Sequence, residues 1–264
     1  MQNQSTTSTG ILKKIVFYIA LIMIWELAYR LGVETLKIWK PYTFPSPFSV
    51  IESLFILGKT NTLAIAIIAS MKRLFVGYGI SLVLGAALGL IIAKFKYIDE
   101  NLTPLILGLQ TLPSVCWIPF SILWFGIDES SIIFVIAIGS TFAVTMAIES
   151  SIKNIHPLYA KAARTMGASG MKLYFNVTLP AALPSIVTGL KQGWSFAWRA
   201  LIAGEMISAT TGLGQVLMVG RDLADISQVV AVMVVIIILG LFLDNIVFGK
   251  IEKRIRQKWG LETN

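Results

Sequence analysis

The chain has 264 residues, of which 56% are hydrophobic and 14% charged, with a mean hydropathy of +0.77 and a net charge of +8. Soluble domains carry about 25% charged residues, so an ordinary water-soluble globule is excluded, as is disorder, which needs low hydrophobicity with high net charge. A single cysteine, Cys116, excludes a disulfide framework and a multi-cysteine metal site, and a single histidine, His156, argues against histidine-based metal catalysis.

The first ten residues are polar and uncharged, and 1–14 reads as a flexible tail. Apolar runs follow at 15–31, 74–93, 104–125, 131–148, 186–206 and 229–248. A helix needs about 20 apolar residues to cross roughly 30 Å of hydrocarbon. Six such runs in so short a chain leave no polar shell for a soluble core. The expected fold is an all-α integral membrane protein with six transmembrane helices, its membrane domain covering 15–248 and a basic tail covering 249–264. The first run is not a signal peptide: Glu26 and Arg30 fall within it, spaced to pair on one helical face, and no small-residue cleavage site closes it.

Between the first two spans, 32–73 reads as an outer loop, with an interfacial helix at 62–69 ahead of Lys72 and Arg73. In the second span Gly77, Ser81, Gly85 and Gly89 form a small-residue ridge, which lets helix backbones approach closely in lipid. In the third, Gln110, Ser114, Trp117, Ser121 and Trp124 fall within a sector of about 80° on one continuous helix. Pro113 and Pro119 interrupt it and free carbonyls that must face protein or a wet cavity. This stripe suits either a pathway lining or helix–helix hydrogen bonding. Cys116, between the prolines, reads as a packing residue.

In the fifth span Thr188, Gln192, Ser195 and Arg199 share a sector of about 60°, with Lys191, Trp194, Trp198 and Glu205 on an adjoining stripe. A charge at mid-bilayer costs about 2.5–3.5 kcal/mol on insertion scales, so Arg199 calls for a water-filled pathway or a structural ion pair. Lys191 is shallow enough to snorkel, Glu205 to reach the outer interface, and Asp244 reads as structural or interfacial.

The segment 149–185, between the fourth and fifth spans, is the longest inner one. His156-Pro157 suits a helix start and Gly167 a helix end; Gly170 breaks the chain again, and Pro180 and Pro184 stop any second helix. Basic residues gather on the same side as this segment: Lys13, Lys14, Lys94, Lys96, Lys153, Lys161, Arg164, Lys172, Lys250, Lys253, Arg254, Arg256 and Lys258. By the positive-inside rule both termini lie in the cytoplasm. Anionic lipid explains these clusters better than nucleic acid does, since no recognition helix or aromatic-interleaved basic strand is present.

The 149–185 segment resembles the inner loop of the permease subunits of bacterial ABC importers, whose signature is Glu-Ala-Ala, three residues, Gly, nine residues, Ile, one residue, Leu-Pro. Here Lys161, Ala162, Ala163, Gly167, Val177, Leu179 and Pro180 keep every interval, with Lys161 in place of Glu and Val177 in place of Ile. The likeness runs from about Ser70 to Arg254 and is greatest to the nitrate/sulfonate/taurine branch, through stretches such as SMKRLFVGYGIS and TTGLGQVL. Permeases for riboflavin and thiamine precursors look much the same.

This resemblance implies a type I importer permease fold in a bacterial plasma (inner) membrane. It implies a homodimer of this subunit, two cytoplasmic ABC ATPase subunits gripped through the 149–185 coupling loop, and an external solute-binding protein. No cofactor is expected in this chain; ATP and Mg would sit on the partner ATPases, in keeping with the lack of a phosphate-cradling glycine-rich loop. The candidate translocation path comprises Gln110, Ser114, Trp117, Gln192, Ser195, Trp198 and Arg199. The alternatives are a secondary transporter or channel not driven by ATP, disfavoured by scarce intramembrane carboxylates, and a membrane-embedded enzyme, disfavoured by the lack of a nucleophile–base set.

Overall fold

Every expected apolar run falls on helix, the third with a break at 111–113, and no strand occurs among the described residues. The computed structural model describes residues 5–40 and 42–258, with side chains for all of these except 5–11, 256 and 258. The expected tails are therefore seen in part, residues 1–4 and 259–264 lying outside the described residues. From Ser5 onward the N-terminal stretch is helical, unlike the flexible tail expected over 1–14. Once a helix is nucleated, each added residue gains a hydrogen bond, so an apolar span readily extends backward. The C-terminal stretch is also helical, over Lys250–Lys258.

By internal contacts the chain divides into two units, Met1–Ala64 with Val216–Ile236, and Ile65–Gln215 with Ile237–Asn264. The first unit carries α1 (Ser5–Tyr29), which passes into a π-helical turn at Arg30–Thr35, and α2 (Pro47–Lys59). The expected Glu26–Arg30 pair forms at 2.7 Å. Ser46 caps α2 by accepting from the Ser49 amide at 3.1 Å, with Pro47 in the first turn. The Trp25 indole donates to the Pro45 carbonyl at 3.0 Å and joins α1 to the α2 entry. The helix between the first two spans is thus 47–59. The 62–69 stretch instead opens a continuous 33-residue helix, α3 (Thr62–Lys94), because nothing between Ala69 and Lys72 breaks helical geometry.

The second unit is built around α6 (Glu129–Lys153). The α3 ridge lies directly on it: a Cβ at Gly77, Gly85 or Gly89 would come within 2.6–2.9 Å of Ile136, Val144, or Thr145 and Ile148. On its other side α6 meets α9 (Leu179–Ile207), where Gly193 leaves equally little room beside Val144. Leu74 and Tyr78 of α3, Ile132, Ile136, Val144 and Ile148 of α6, and Ile186, Trp194, Ala197 and Leu201 of α9 form the shared core. The hydroxyls of Ser140, Thr141 and Thr145 would be costly among these apolar neighbours, and each donates to a carbonyl one turn back at 2.7–2.8 Å.

The third run is bent sharply. α4 (Lys96–Gln110) is followed by a 3₁₀ turn at Ser114–Trp117 and by α5 (Ile118–Phe125), at 99° to α4. Pro113 sets the break: it takes an extended conformation, with ψ of 140°, and a proline also disfavours helix at the residue before it. The bent pair still crosses. At its start Asp99 meets Lys153, at one end of α6, and after Phe125 the chain enters Glu129, at the other end, roughly 36 Å away. With α1, α3, α6, α9 and α11 (Ile226–Leu243) this makes six transmembrane stretches.

Candidate functional site

At the Lys153 end of α6 an ion cluster roots the following segment. The Lys153 ammonium lies 2.6 Å from Glu149 and 2.5 Å from Asp99, tying α6 to α4. The chain then turns into α7 (Pro157–Thr165). His156 is its cap, Nδ1 accepting from the Leu158 amide at 3.2 Å, with Pro157 in the first turn where no amide proton is needed. α7 ends at Gly167, whose φ of +85° is left-handed. The Ala168 amide donates to the Ala163 carbonyl at 2.9 Å and the Gly167 amide to that of Arg164 at 3.0 Å. These two bonds are the paired closure of a Schellman motif.

A short helix, α8 (Gly170–Leu173), and a π-helical turn at Tyr174–Thr178 lead into α9. The expected helix–glycine–helix knob over 149–185 is present, but Pro180 and Pro184 do not stop the second element. Pro180 sits in the first turn of α9, where its missing amide costs nothing, and Pro184 is carried inside that helix. Of the signature residues, Ala163 is buried; Lys161, Ala162 and Gly167 are exposed; Val177, Leu179 and Pro180 are half-buried at the α9 entry. Leu158, Tyr159, Met166, Met171 and Phe175 are all more than half exposed, Met166 at 87%. A rigid, apolar-tipped elbow of this kind suits a protein partner.

Next to the elbow, an open cleft of about 450 Å³ runs between α4, α6 and α9. Gln110, Ser150, Ser151, Asn154, Ser185, Thr188 and Gln192 supply its polar lining, with Ala143, Met146, Ala147 and Gly189 between them. The structure thus brings two expected path residues, Gln110 and Gln192, together. Ser195 and Arg199 continue the same α9 stripe. Arg199 is exposed; its Nε donates to the Ser195 carbonyl at 3.2 Å and its Cζ lies 4.9 Å from the Phe196 ring centre.

The other expected path residues are placed differently. The 99° bend splits the third-span stripe: Ser121 is buried and donates to the Ile118 carbonyl, whereas Trp124 is 60% exposed. Ser114 sits against Gly139 of α6, and the Trp117 ring meets those of Phe120 and Phe142. Trp198 packs its indole on Gly240 of α11. Cys116 is exposed and not a packing residue, because the bend turns the 3₁₀ segment outward.

Two charges also sit differently. Lys191 does not snorkel; it pairs with Asp244 at 2.9 Å. Glu205 does not reach an interface and is fully buried. It accepts from Arg73 Nη1 at 2.9 Å, from Ser70 Oγ at 2.8 Å and from the Gly214 amide at 3.0 Å. Arg73 also donates to the Thr211 carbonyl at 2.7 Å and to Glu129 at 3.1 Å, binding α3, α6, α9 and the 208–214 loop into one knot. The signals in the sequence are a carboxylate inside an apolar run and two glycines, Gly212 and Gly214, spaced to pass beneath it.

Comparison with known proteins agrees with this architecture. A family described as the binding-protein-dependent transport system inner membrane component matches residues 81–257. The chain is 32% identical to SsuC of Escherichia coli, assigned to aliphatic sulfonates transport, over 91% of this chain and 89% of the relative. It is 30% identical to the nitrate import permease NrtB of Synechocystis, over 77% of each. It is also 30% identical to the formylaminopyrimidine transport permease ThiX of Halalkalibacterium halodurans, over 77% of this chain and 78% of the relative. In fold it is similar to the MetNI methionine ABC transporter in an inward-facing conformation, with a TM-score of 0.61 at 21% identity over 71% of this chain and 93% of the other. The chain therefore belongs to the binding-protein-dependent transport system inner membrane component family, the membrane-spanning permeases of ABC transporters.

Proposed function

We propose that this chain is the permease through which an ATP-driven importer moves a small solute: nitrate, a sulfonate, taurine or a related anion, or a heterocycle. Two copies would form the path, two cytoplasmic ATPase subunits would bind ATP with Mg, and an external binding protein would deliver the solute. Both termini and the α7 elbow face the cytoplasm in this reading, which the basic residues around Lys161, Arg164 and Lys172 support. The path follows Gln110, Gln192, Ser195 and Arg199 along the polar cleft and the α9 stripe.

The observation that carries the reading is the Gly167-closed elbow. A lever transmits an ATPase's closure only if its tip and root are fixed. Here the Schellman closure fixes the tip and the Lys153 cluster the root. A proton-driven secondary transporter would instead need an intramembrane carboxylate free to titrate, and Glu149, Glu205 and Asp244 each lie against a cation.

The test is reconstitution in liposomes with the neighbouring ATPase and binding protein. ATP-dependent uptake that Gly167→Arg abolishes, with the complex still assembled, is the expected result. Uptake indifferent to ATP, or intact in Gly167→Arg, would overturn the proposal.

A further inference from the structure

The cations inside the bundle are matched one by one. Arg73 faces Glu205 and Glu129, Lys153 faces Glu149 and Asp99, and Lys191 faces Asp244. Arg199 is the exception: no carboxylate of the described residues lies within 4.0 Å of it. The carboxylates set back from the span ends are Glu26, Glu149, Glu205 and Asp244, and each already holds a cation at 2.6–2.9 Å.

The conformation of Arg199 shows which way it looks. It stands eight residues, about 12 Å, from the Ile207 end of α9. A snorkelling side chain would extend toward that nearer end. The guanidinium instead folds back to the Ser195 carbonyl and over Phe196. An uncompensated charge held at that depth faces water and not hydrocarbon.

The cleft next to it has the opposite character. No charged side chain lines it. Of its hydroxyls, Ser151 donates to the Ala147 carbonyl at 2.6 Å and Thr188 to that of Pro184 at 3.2 Å. These two present lone pairs to the cavity, beside an unpartnered Gln110 Oε1, and the carboxamides of Gln110, Asn154 and Gln192 add neutral N–H donors, so the lining can hydrogen-bond a solute but brings no charge to hold an anion.

Building on the reading of the α9 stripe as the path, we propose that Arg199 is its one charged station, taking the anionic group of the solute, and that the neutral cleft beside it is where the solute is released. The solute class is then a small anion, or a zwitterion with an anionic head, and not a neutral heterocycle.

The test reads local charge directly, without knowing the solute. In the assembled complex with Cys116→Ser, single cysteines are placed by Ser195→Cys and Thr188→Cys. Their reaction rates with an anionic sulfonatoethyl methanethiosulfonate and a cationic trimethylammonioethyl methanethiosulfonate are then compared. At 195 the anionic reagent is favoured; Arg199→Gln lowers the anion-to-cation ratio by about tenfold, whereas Arg199→Lys keeps it. At 188 the two reagents react at similar rates, whatever stands at 199.

A thiol at 195 that reacts with neither reagent lies against lipid or a subunit, and the path reading of the stripe fails. A ratio at 195 unmoved by Arg199→Gln refutes the charged station alone. An equally strong anion preference at 188 refutes the neutral release cleft.

Discussion

Arg73 and Glu205 lie 132 residues apart in the chain, yet Nη1 of one sits 2.9 Å from Oε1 of the other, with exposures of 2% and 0%. Removing Glu205 leaves the buried Arg73 with only the partly exposed Glu129 and the Thr211 carbonyl, and breaking a buried pair in this way costs up to about 3–5 kcal/mol. Glu205→Ala is therefore expected to lower the thermal unfolding temperature of the purified protein sharply. Glu205→Gln keeps the shape and the contact with the Gly214 amide and should lower it less. Gly212→Ala should behave like Glu205→Ala, because a Cβ there would run into the Glu205 carboxylate. Unfolding followed by intrinsic tryptophan fluorescence in detergent checks the order; equal midpoints for wild type and Glu205→Ala would refute it.

Gly167 isolates backbone conformation from space. A Cβ there meets nothing within 4 Å, yet φ is +85°. Any loss in Gly167→Ala thus comes from the left-handed dihedral, about 1 kcal/mol. Gly167→Asn, which tolerates that region, should retain more ATP-driven uptake than Gly167→Ala, and Gly167→Val should retain least. Uptake assays on the three variants at matched ATPase co-purification give the ranking. Equal activity in Asn and Val would mean that the turn does not need its left-handed closure.

Legibility followed the range of each signal. Span existence depends on apolar length, a local sum, and six runs suffice to show it. The elbow was equally plain, because His156, Pro157 and Gly167 act through capping rules that operate over a few residues. What local rules miss is the partner across the bundle. The third-span stripe assumed 100° per residue through Pro113, and the 99° bend there separates Gln110, in the cleft, from the buried Ser121. Glu205 and Lys191 carried no sign of Arg73 and Asp244, since periodicity along one helix says nothing of what another brings to the same depth.

The α3–α6 contact makes a packing prediction with an internal control. At Gly85 a Cβ would lie 2.6 Å from Val144, whereas at Gly79 it meets nothing within 4 Å. Gly85→Ala forces two backbones apart and should cost about 1–3 kcal/mol. Gly79→Ala should be neutral or slightly stabilising, since alanine is the better helix former. Each variant adds one methyl to the same helix, so their melting temperatures compare without a change of chemistry. A Gly79→Ala protein that loses as much as Gly85→Ala would mean that α3 does not present this face to α6.

Lys191 lies one residue from Gln192 and invites assignment to the solute path, but its ammonium is 2.9 Å from Asp244, with 36% and 27% of the two side chains exposed. If the lysine serves the pair, Lys191→Gln alone strands Asp244, whose Oδ1 already lacks a partner, and uptake and stability fall together. The double variant Lys191→Gln with Asp244→Asn removes both charges, leaves no stranded ion and should recover most of both. A path cation behaves otherwise, because neutralising Asp244 does not restore a charge the solute needs. The cycle's coupling term, about 1 kcal/mol for a partly exposed pair, separates the two roles: recovery in the double variant assigns Lys191 to structure, and continued loss of uptake at normal stability assigns it to the path.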